Sequence, residues 1–359
     1  METLETLPNV SKLNDYVIRI LGQNPGKFTL QGTNTYLVGR HPPFILVDTG
    51  EGRDEFLPLL DTTLRQQRAQ STPYSNCLVS DIIITHGHRD HFGGLPSVLD
   101  LLKRIHMEGK NADADFIRPR IHKYPSPPKS ESLPHEIDLQ SILSSLPTST
   151  HTPSSSELPI HDLWESQKLV TSDGTVSLTV LHTPGHTLDS ICLLLRDLTD
   201  VYEQPNSLFT ADSVLGQGTA VFEDLGTYLE SLQRLLSLHE DKNVSMSFKA
   251  VYPGHGPLVG DGPQLISNYI RHRREREDQI VGVLSRPVVT QKGELVAESG
   301  DTWTIWAIVG EIYEDYPENL WLPAAHGVGL HLRKLERDGR ARCLGGEGIN
   351  QRWTLLPKL

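Results

Sequence analysis

Four side chains that commonly bind metals lie within one short stretch of the chain. The segment "ITHGHRDHFGG" (84–94) follows a run of isoleucines and contains three histidines and an aspartate. Neutral imidazole suits zinc, iron and nickel, and an added carboxylate suits a harder or mixed site. Because the strand end and the turn direct alternate residues the same way, we expect His86 and His88 to bind one ion. Asp90 and His91, at the start of the next helix, would face a second ion.

Two such half-sites need further ligands, and the chain offers three at the ends of predicted strands. His186 lies in "TPGHT", Asp212 in "FTADSVLG" and His255 in "YPGHGP". Two dications about 3.5–4 Å apart need a bridging carboxylate to offset their repulsion, and Asp212 is the candidate. A lone histidine is usually a surface or core residue, but these motifs together make coincidence negligible.

Length and composition indicate two domains. At 359 residues the chain exceeds the size of about 250–300 residues at which a single core stops growing. No stretch approaches the ~18 unbroken apolar residues of a membrane span, and the start lacks a secretory signal pattern, so we expect a cytoplasmic protein with no membrane partner. The three cysteines show no CxxC spacing, which disfavours both a disulfide framework and a thiolate zinc site.

The net charge of −12 is unevenly distributed. Residues 269–359 contain 13 basic and 13 acidic residues, so the whole acidic excess lies within residues 1–268. Such a region repels a phosphate backbone at long range, which argues against non-specific binding of nucleic acid.

Apolar runs that end in glycine, proline, aspartate or histidine turns predict the strands that position the ligands. These runs are 15–22, 34–39, 44–50, 77–86, 174–187, 207–218 and 249–259. Helical spacing of Leu95, Val98, Leu101 and Leu102 predicts a helix at 95–105. Strands that alternate with helices favour a layered α/β domain.

The pattern breaks between about residues 107 and 167. Residues 124–159 contain seven prolines and many serines and threonines, a composition that disfavours packed secondary structure. We therefore predict an insertion or long surface loop within a catalytic domain of residues 1–265. A short helix is expected within it at 136–146, and catalysis would not need residues 124–159.

Residues 266–359 are expected to form a second, helical module. Helices are predicted at 262–285, 301–313 and 323–339, the last with an apolar stripe of Ala325, Val328, Leu332 and Leu335. A hairpin made of "RCL", a glycine-rich turn and "QRWTLL" follows. Helices followed by such a hairpin are typical of a winged helix.

Taken in order, "LVDTG", "THGHRDH", "TPGHT", "TADS" and "YPGHGP" resemble the metallo-β-lactamase superfamily over residues 15–260. The resemblance implies a four-layer αβ/βα sandwich with a dinuclear site at one edge. It assigns seven metal ligands: His86, His88 and His186 to the first ion, Asp90, His91 and His255 to the second, and Asp212 as the bridge. Two zinc ions are favoured, with other divalent transition metals as the alternative.

Three further positions qualify the resemblance. True β-lactamases typically carry cysteine where this chain has Asp212, which argues against antibiotic hydrolysis. Asp48 matches the family's buried aspartate, which steadies the metal loop from the second shell of contacts. Gly87 stands where members often have tryptophan, so we expect a more open pocket wall.

Three segments resemble the group named for beta-lactamase-like protein 2: "LGQNPGKFTLQGTNTYLVG" (21–39), "GQGTAVFEDLGTYLESLQRLL" (216–236) and "GLHLRKLERDGR" (329–340). That group includes animal endoribonucleases and fungal acyl-carrier-protein thioesterases of the atrochrysone carboxyl type, which are partners of polyketide synthases. We favour a thioesterase that releases a polyketide acyl chain from an acyl carrier protein in secondary metabolism. The alternative is a single-strand-specific endoribonuclease, with RNA as the partner.

Both activities would use the same chemistry. Metal coordination lowers the pKa of water to about 7, so a hydroxide that bridges two ions is available at neutral pH. Asp90 would take the proton of the nucleophile and pass it to the leaving group. The segment "RHRRERE" (271–277) interleaves arginine with glutamate, as solvated helix faces do, and the sequence shows no aromatic platform for single strands. A scaffold that has lost its metals is disfavoured because every ligand position is filled.

Overall fold

The computed structural model describes residues 4–71, 77–109, 115–126, 139–200, 205–240, 246–286 and 302–357. The chain divides into two compact units. The first unit contains Met1–Val221 and Ser231–Ile266, and the second contains Phe222–Glu230 and Ser267–Leu359. The short segment Phe222–Glu230 is therefore grouped with the C-terminal residues.

Two β-sheets form the centre of the first unit. The larger sheet has seven strands in chain order: β1 (Val10–Asn14), β2 (Val17–Leu21), β3 (Asn34–Val38), β4 (Phe44–Val47), β5 (Val79–Ile84), β6 (Arg120–Lys123) and β7 (Ile160–Asp162). The smaller sheet has the order β12-β11-β10-β9-β8, with β8 (Lys168–Val170), β9 (Val176–His182), β10 (Ile191–Asp197), β11 (Asn206–Ala211) and β12 (Phe248–Pro253). Strands β4 to β7 are parallel, as are β11 and β12, and the other neighbours are antiparallel.

Alternate residues of the central strands face two different cores. On β4, Ile45 and Val47 pack between the two sheets, whereas Phe44 and Leu46 pack under the helices of the larger sheet. This period of two follows from the pleat of a strand. Because both faces are buried, such strands read as continuous apolar runs, which is why the sequence predicted them.

Helices cover the outer faces of both sheets. The helices are α1 (Phe56–Ala69), α2 (Arg89–Phe92), α3 (Leu95–Met107), α4 (Leu139–Ser145) and α5 (Leu225–Glu240). Helix α3 buries its predicted apolar face on the larger sheet. At the end of α5, His239 contacts Phe248 of β12 with ring centroids 5.3 Å apart. These layers confirm the predicted αβ/βα sandwich.

Residues 107–167 contain more than the predicted insertion or surface loop with a short helix at 136–146: that helix is present as α4, but two strands that were not predicted are also present. Strands β6 and β7 lie in this range and complete the seven-stranded sheet. Leu143 of α4 and Leu146 are buried in the same core as α1 and α3. Prolines and short elements hid β6 and β7, because strands of four and three residues show little periodicity. Residues 127–138, which include the start of the helix predicted at 136–146, lie outside the described residues.

The second unit is helical with a small sheet. Its elements are α6 (Gly262–Leu284), which begins in the first unit, β13 (Trp303–Thr304), α7 (Ile305–Ile312), α8 (Trp321–Arg337), β14 (Ala341–Cys343) and β15 (Arg352–Leu355). The strands pair antiparallel in the order β13-β15-β14. The predicted stripe on α8 is buried in one cluster with Ile305 and Val309 of α7. This arrangement confirms the predicted winged-helix module.

No helix among the described residues combines the length and the apolar character that crossing a bilayer requires.

Candidate metal centre

The predicted ligands follow the carboxyl ends of strands in the first unit. His86 comes two residues after β5, Asp212 directly after β11, and His255 two residues after β12. Strands β9, β11 and β12 run in the same direction, so the loops that carry His186, Asp212 and His255 leave the smaller sheet at one edge. The structure brings all seven predicted ligands together at this edge.

Three imidazole nitrogens converge in what we call the first group: His86, His88 and His186. The atoms His86 Nε2, His88 Nδ1 and His186 Nε2 lie 2.9 to 3.2 Å from one another. Ligands of one tetrahedral zinc ion, with Zn–N bonds of about 2.1 Å, are separated by roughly 3.4 Å, so this spacing fits a shared ion. Burial lowers the pKa of His186 to about 4 and also lowers the pKa of His86, so both imidazoles are neutral at pH 7.

The second group comprises Asp90, His91 and His255. Asp90 Oδ2 lies 3.3 Å from both His91 Nε2 and His255 Nε2. Burial alone would lower the pKa of His255, but the charge of Asp212 and hydrogen bonds to Asp212 and Asp90 raise it to about 9. Burial is likewise outweighed at His91, where neighbouring carboxylates raise the pKa. These imidazoles therefore retain protons that a bound cation must displace.

Asp212 lies between the two groups. Its Oδ1 atom is 3.4 Å from His91 Nε2, and its Oδ2 atom is 3.2 Å from His255 Nε2 and 3.6 Å from His186 Nε2. Within the described part of the chain, the buried atoms Asp212 Oδ1 and His91 Nε2 have no hydrogen-bond partner. Bound cations would satisfy both atoms, so the imidazole and carboxylate donors present here fit transition-metal ions.

Hydrogen bonds orient the histidine rings from the side away from the centre. His91 Nδ1 donates to Asp48 Oδ2 at 2.7 Å, and His186 Nδ1 donates to the Val221 carbonyl at 2.7 Å. Such contacts fix the ring and raise its basicity as a ligand. The role of Asp48 was predicted from the resemblance, whereas Val221 was missed because any residue type can offer a carbonyl.

Asp48 also contacts the loop of the first group. Thr85 donates its backbone N–H and its hydroxyl to the two carboxylate oxygens of Asp48, each at 2.8 Å. The Thr85 hydroxyl therefore accepts from His86 Nδ1, which lies 3.1 Å away. One buried carboxylate thus supports a histidine in each group.

Position 254, directly before His255, requires a glycine because the backbone there lies very close to the side chains of Asp212 and His91. A Cβ atom on Gly254 would lie 2.2 Å from Asp212 Oδ1 and 3.0 Å from His91 Cε1, and the first distance is far inside van der Waals contact. The backbone before Asp212 is also unusual, since Ala211 has a φ of 44°. The motifs "PGHG" and "TADS" therefore meet at the carboxylate between the groups.

A buried ion pair supports the loops of the first group. Lys123 at the end of β6 pairs with Asp189, and both side chains are less than 8% exposed. Asp189 also accepts hydrogen bonds from Ser126 Oγ at 2.8 Å and from Thr187 Oγ1 at 2.7 Å, and Thr187 directly follows a ligand histidine. A Cβ atom on Gly87 would lie 3.1 Å from Asp189 Oδ2, so this pair bounds the space beside Gly87. The more open pocket wall there stays a prediction.

A centre of histidines and aspartates at the edge of an αβ/βα sandwich defines a class of metal-dependent hydrolases. The chain belongs to the metallo-beta-lactamase superfamily, because the model of that family matches residues 28–255. The model of the beta-lactamase associated winged helix domain matches residues 304–353. Both matches agree with the family and the module predicted from the sequence.

Individual relatives cover almost the whole chain. The beta-lactamase-like protein 2 homolog of Drosophila melanogaster is 33% identical, over 94% of this chain and 93% of its own length. Lactamase-like protein nscB of Aspergillus fumigatus is 31% identical, over 99% of this chain and 88% of its own length. A beta-lactamase domain protein from Burkholderia ambifaria has a TM-score of 0.62 at 16% identity, over 98% of this chain and 96% of that one, and so shares the fold.

Proposed function

We propose that this protein is a dinuclear zinc thioesterase that releases a polyketide acyl chain from an acyl carrier protein. Membership of the superfamily implies a metal-dependent hydrolase. Two zinc ions, a thioester substrate and a carrier protein are what we propose beyond this class. Five histidines and two aspartates support zinc, because this mixture of imidazole and carboxylate donors suits that ion.

The side chains of the centre would have two roles in hydrolysis, metal binding and proton transfer. His86, His88 and His186 would hold one ion, the second group would hold the other, and Asp212 would contact both. Bound zinc ions would supply a water of lowered pKa and would polarise the carbonyl under attack. The Asp90 side chain is 21% exposed, compared with 12% for Asp212. Asp90 is therefore the better placed of the two carboxylates to take a proton from the nucleophile and deliver it to the leaving thiol.

The observation that supports an acyl substrate is a set of exposed apolar side chains on the loops around the centre. Leu188 is 48% exposed and lies two residues after a ligand, and Val221 is 49% exposed and accepts a hydrogen bond from His186. Phe28, which is 68% exposed, lies in the loop that leads to Gly32, whose carbonyl contacts His255. Burial of these side chains against a hydrocarbon chain stabilises binding of an acyl group, whereas binding of a phosphodiester backbone depends on lysine and arginine side chains.

Cleavage of single-stranded RNA is the second candidate, and one observation favours it. In the winged-helix unit, Trp306 and Trp321 have ring centroids 5.6 Å apart, and Trp306 is 37% exposed. Paired aromatic rings of this kind can stack on bases. The sequence did not indicate this pair, because the two tryptophans are separated by fourteen residues.

A direct comparison of substrates tests the proposal. Zinc-loaded protein is given an acyl-loaded carrier protein and a labelled single-stranded RNA in parallel, each with and without a chelator. We expect chelator-sensitive release of the acyl chain and an intact RNA. Cleavage of the RNA with no acyl release would reject the thioesterase and establish the endoribonuclease.

A further inference from the structure

A hydrogen-bonded chain of side chains leads to Asp90 from a part of the sequence that supplies no metal ligand. Asn24 Nδ2 donates to Thr33 Oγ1 at 3.0 Å, and Thr33 Oγ1 donates to Asp90 Oδ2 at 2.9 Å. Asn24 is 4% exposed and Thr33 is 0% exposed. Both lie in the segment 21–39, which resembles the beta-lactamase-like protein 2 group.

The direction of each hydrogen bond in this chain is determined. The backbone N–H of Thr33 donates to Asn24 Oδ1 at 2.9 Å, so the oxygen of the side-chain amide faces that N–H and its nitrogen faces Thr33 Oγ1. An amide nitrogen can only donate, and the Thr33 hydroxyl therefore accepts from it. The single proton of that hydroxyl is left for Asp90 Oδ2. Asn24 thus dictates where the Thr33 hydroxyl points.

The oxygen that receives this proton is the one that faces the second group. Asp90 Oδ2 is 3.3 Å from His91 Nε2 and 3.3 Å from His255 Nε2. A hydrogen bond to this oxygen opposes rotation of the carboxylate about its Cβ–Cγ bond, a torsion that is otherwise broad. The Thr33 hydroxyl therefore selects which oxygen of Asp90 is presented to the two histidines.

The backbone around Thr33 is fixed to the same group. Thr33 forms an antiparallel bridge with His255, and the Gly32 carbonyl accepts from His255 Nδ1 at 3.4 Å. The Thr33 carbonyl accepts from the backbone N–H of Gly22 at 2.7 Å. The Thr33 hydroxyl therefore lies on a segment whose backbone is held in place, as a contact that positions another side chain requires.

We propose that Thr33, oriented by Asn24, is a positioning residue that sets the Asp90 carboxylate for metal binding and for proton transfer. The proposal rests on the metal-dependent hydrolysis proposed above. It applies equally to a thioester and to an RNA substrate, because it concerns the ligand and not the reacting group.

The test compares two threonines of one segment. Thr33→Val removes the hydroxyl and keeps the shape, and Thr33→Ser keeps the hydroxyl. Thr35→Val is the matched control, because Thr35 is also 0% exposed but its hydroxyl donates to the Ile20 carbonyl at 2.9 Å. Asn24→Asp is a second probe, since it keeps the acceptor for the Thr33 N–H and removes the donor to the Thr33 hydroxyl.

Two measurements are made on metal-free full-length chains refilled with zinc. Competition with a chromophoric chelator gives the affinity of each zinc equivalent, and a small acyl thioester at saturating zinc gives kcat and KM. For Thr33→Val we expect an affinity loss of about tenfold for one equivalent only, within the 10–100-fold range of outer contacts to metal ligands. We also expect kcat to fall about tenfold at unchanged KM, wild-type behaviour for Thr33→Ser and Thr35→Val, and the Thr33→Val pattern for Asn24→Asp.

The outcomes separate this proposal from the proposed function. Wild-type zinc affinity and kcat in Thr33→Val would overturn the positioning role, as would equal losses in Thr35→Val. A folded Thr33→Ser chain that behaves like Thr33→Val would also overturn it, since the effect would then come from packing. A wild-type chain that takes up no second zinc ion would reject the metal centre and Thr33 with it. Two zinc ions without thioester hydrolysis would reject the substrate, while the zinc affinities still decide the role of Thr33.

Discussion

The two ligand groups of the metal centre lie side by side but differ in charge and in support. The first group consists of histidines, and burial keeps His86 and His186 in the neutral form that binds metal. In the second group, carboxylates raise the pKa of both His91 and His255. The first group is therefore ready for a cation at pH 7, whereas the second must release protons.

The groups are also held in different ways. The loops of the first group rest on a buried ion pair between Lys123 and Asp189, whereas the Asp90 carboxylate of the second group is held by a hydrogen bond from Thr33, an uncharged side chain that Asn24 orients. Breaking a buried ion pair by removing one partner costs about 3–5 kcal/mol, whereas a hydrogen bond to a charged group contributes about 1.5–3 kcal/mol. Damage to the first support should therefore affect folding, and damage to the second should affect chemistry.

The largest effect is expected where the two groups meet, at Asp212. Asp212→Ala removes the carboxylate that lies within 3.6 Å of nitrogen atoms from both groups. Loss of several kcal/mol of charge stabilisation corresponds to a fall in kcat/KM of about 1000-fold. Metal analysis should show one zinc ion per chain in place of two.

Asp197→Ala is the control for this substitution, because Asp197 ends β10 in the sheet that also contains β11, pairs with Arg40 and lies outside the ligand set. It should retain both ions and full turnover. If Asp212→Ala also retained two ions and full turnover, Asp212 would not be shared and the two groups would be independent sites.

The next effect concerns the support of the first group alone. Lys123→Met leaves the buried Asp189 carboxylate without its cation, and breaking such a pair costs about 3–5 kcal/mol of unfolding free energy. Urea denaturation of the metal-free chain measures this loss. The double variant Lys123→Met, Asp189→Leu removes both charges and should recover most of the stability. Wild-type stability in the single variant would show that the ion pair does not support the fold.

The smallest effect, for a change of one pH unit, is a difference in the pH dependence of zinc affinity. His255, with a pKa of about 9, and His91, whose pKa is also raised, must each lose a proton to bind zinc, so the affinity of the second group should fall at least tenfold for each pH unit below 9. His186, with a pKa of about 4, is already neutral, and its contribution to the first group should be constant above about pH 5. Zinc titrations between pH 6 and pH 9 should resolve one steep and one flat equivalent. If the affinities of both zinc equivalents changed equally with pH, the two groups would not differ in the protons they release.

The ligands were predictable because each stands in a short motif at the end of an apolar run. A strand buried on both faces appears in the sequence as such a run, and a metal-binding residue at its end is recognised because it is polar. Helix α1 and strand β10 were not predicted, although both are well formed. Leu60 and Leu64 of α1 have helical spacing and β10 contains the apolar run "ICLLL", but neither element ends in a metal-binding motif that would draw attention to it.

The supports of the ligands were not predictable, because folding brings them together from distant parts of the chain. Lys123 and Asp189 are 66 residues apart, and Thr33 and Asp90 are 57 residues apart. Lys123 lies at the border of a proline-rich stretch whose composition suggested a loop. Local composition describes what a segment can form alone, whereas β6 is formed by pairing with β5.

The contact between Gly254 and Asp212 has a consequence for inheritance. Since no side chain fits at position 254 while a carboxylate occupies position 212, a substitution of Gly254 would displace the Asp212 side chain from its place between the two groups. A descendant that acquires a larger residue at 254 must change residue 212 as well, or shift one of the parallel strands β11 and β12. The two positions, 42 residues apart in sequence, are therefore expected to vary as a pair among related chains.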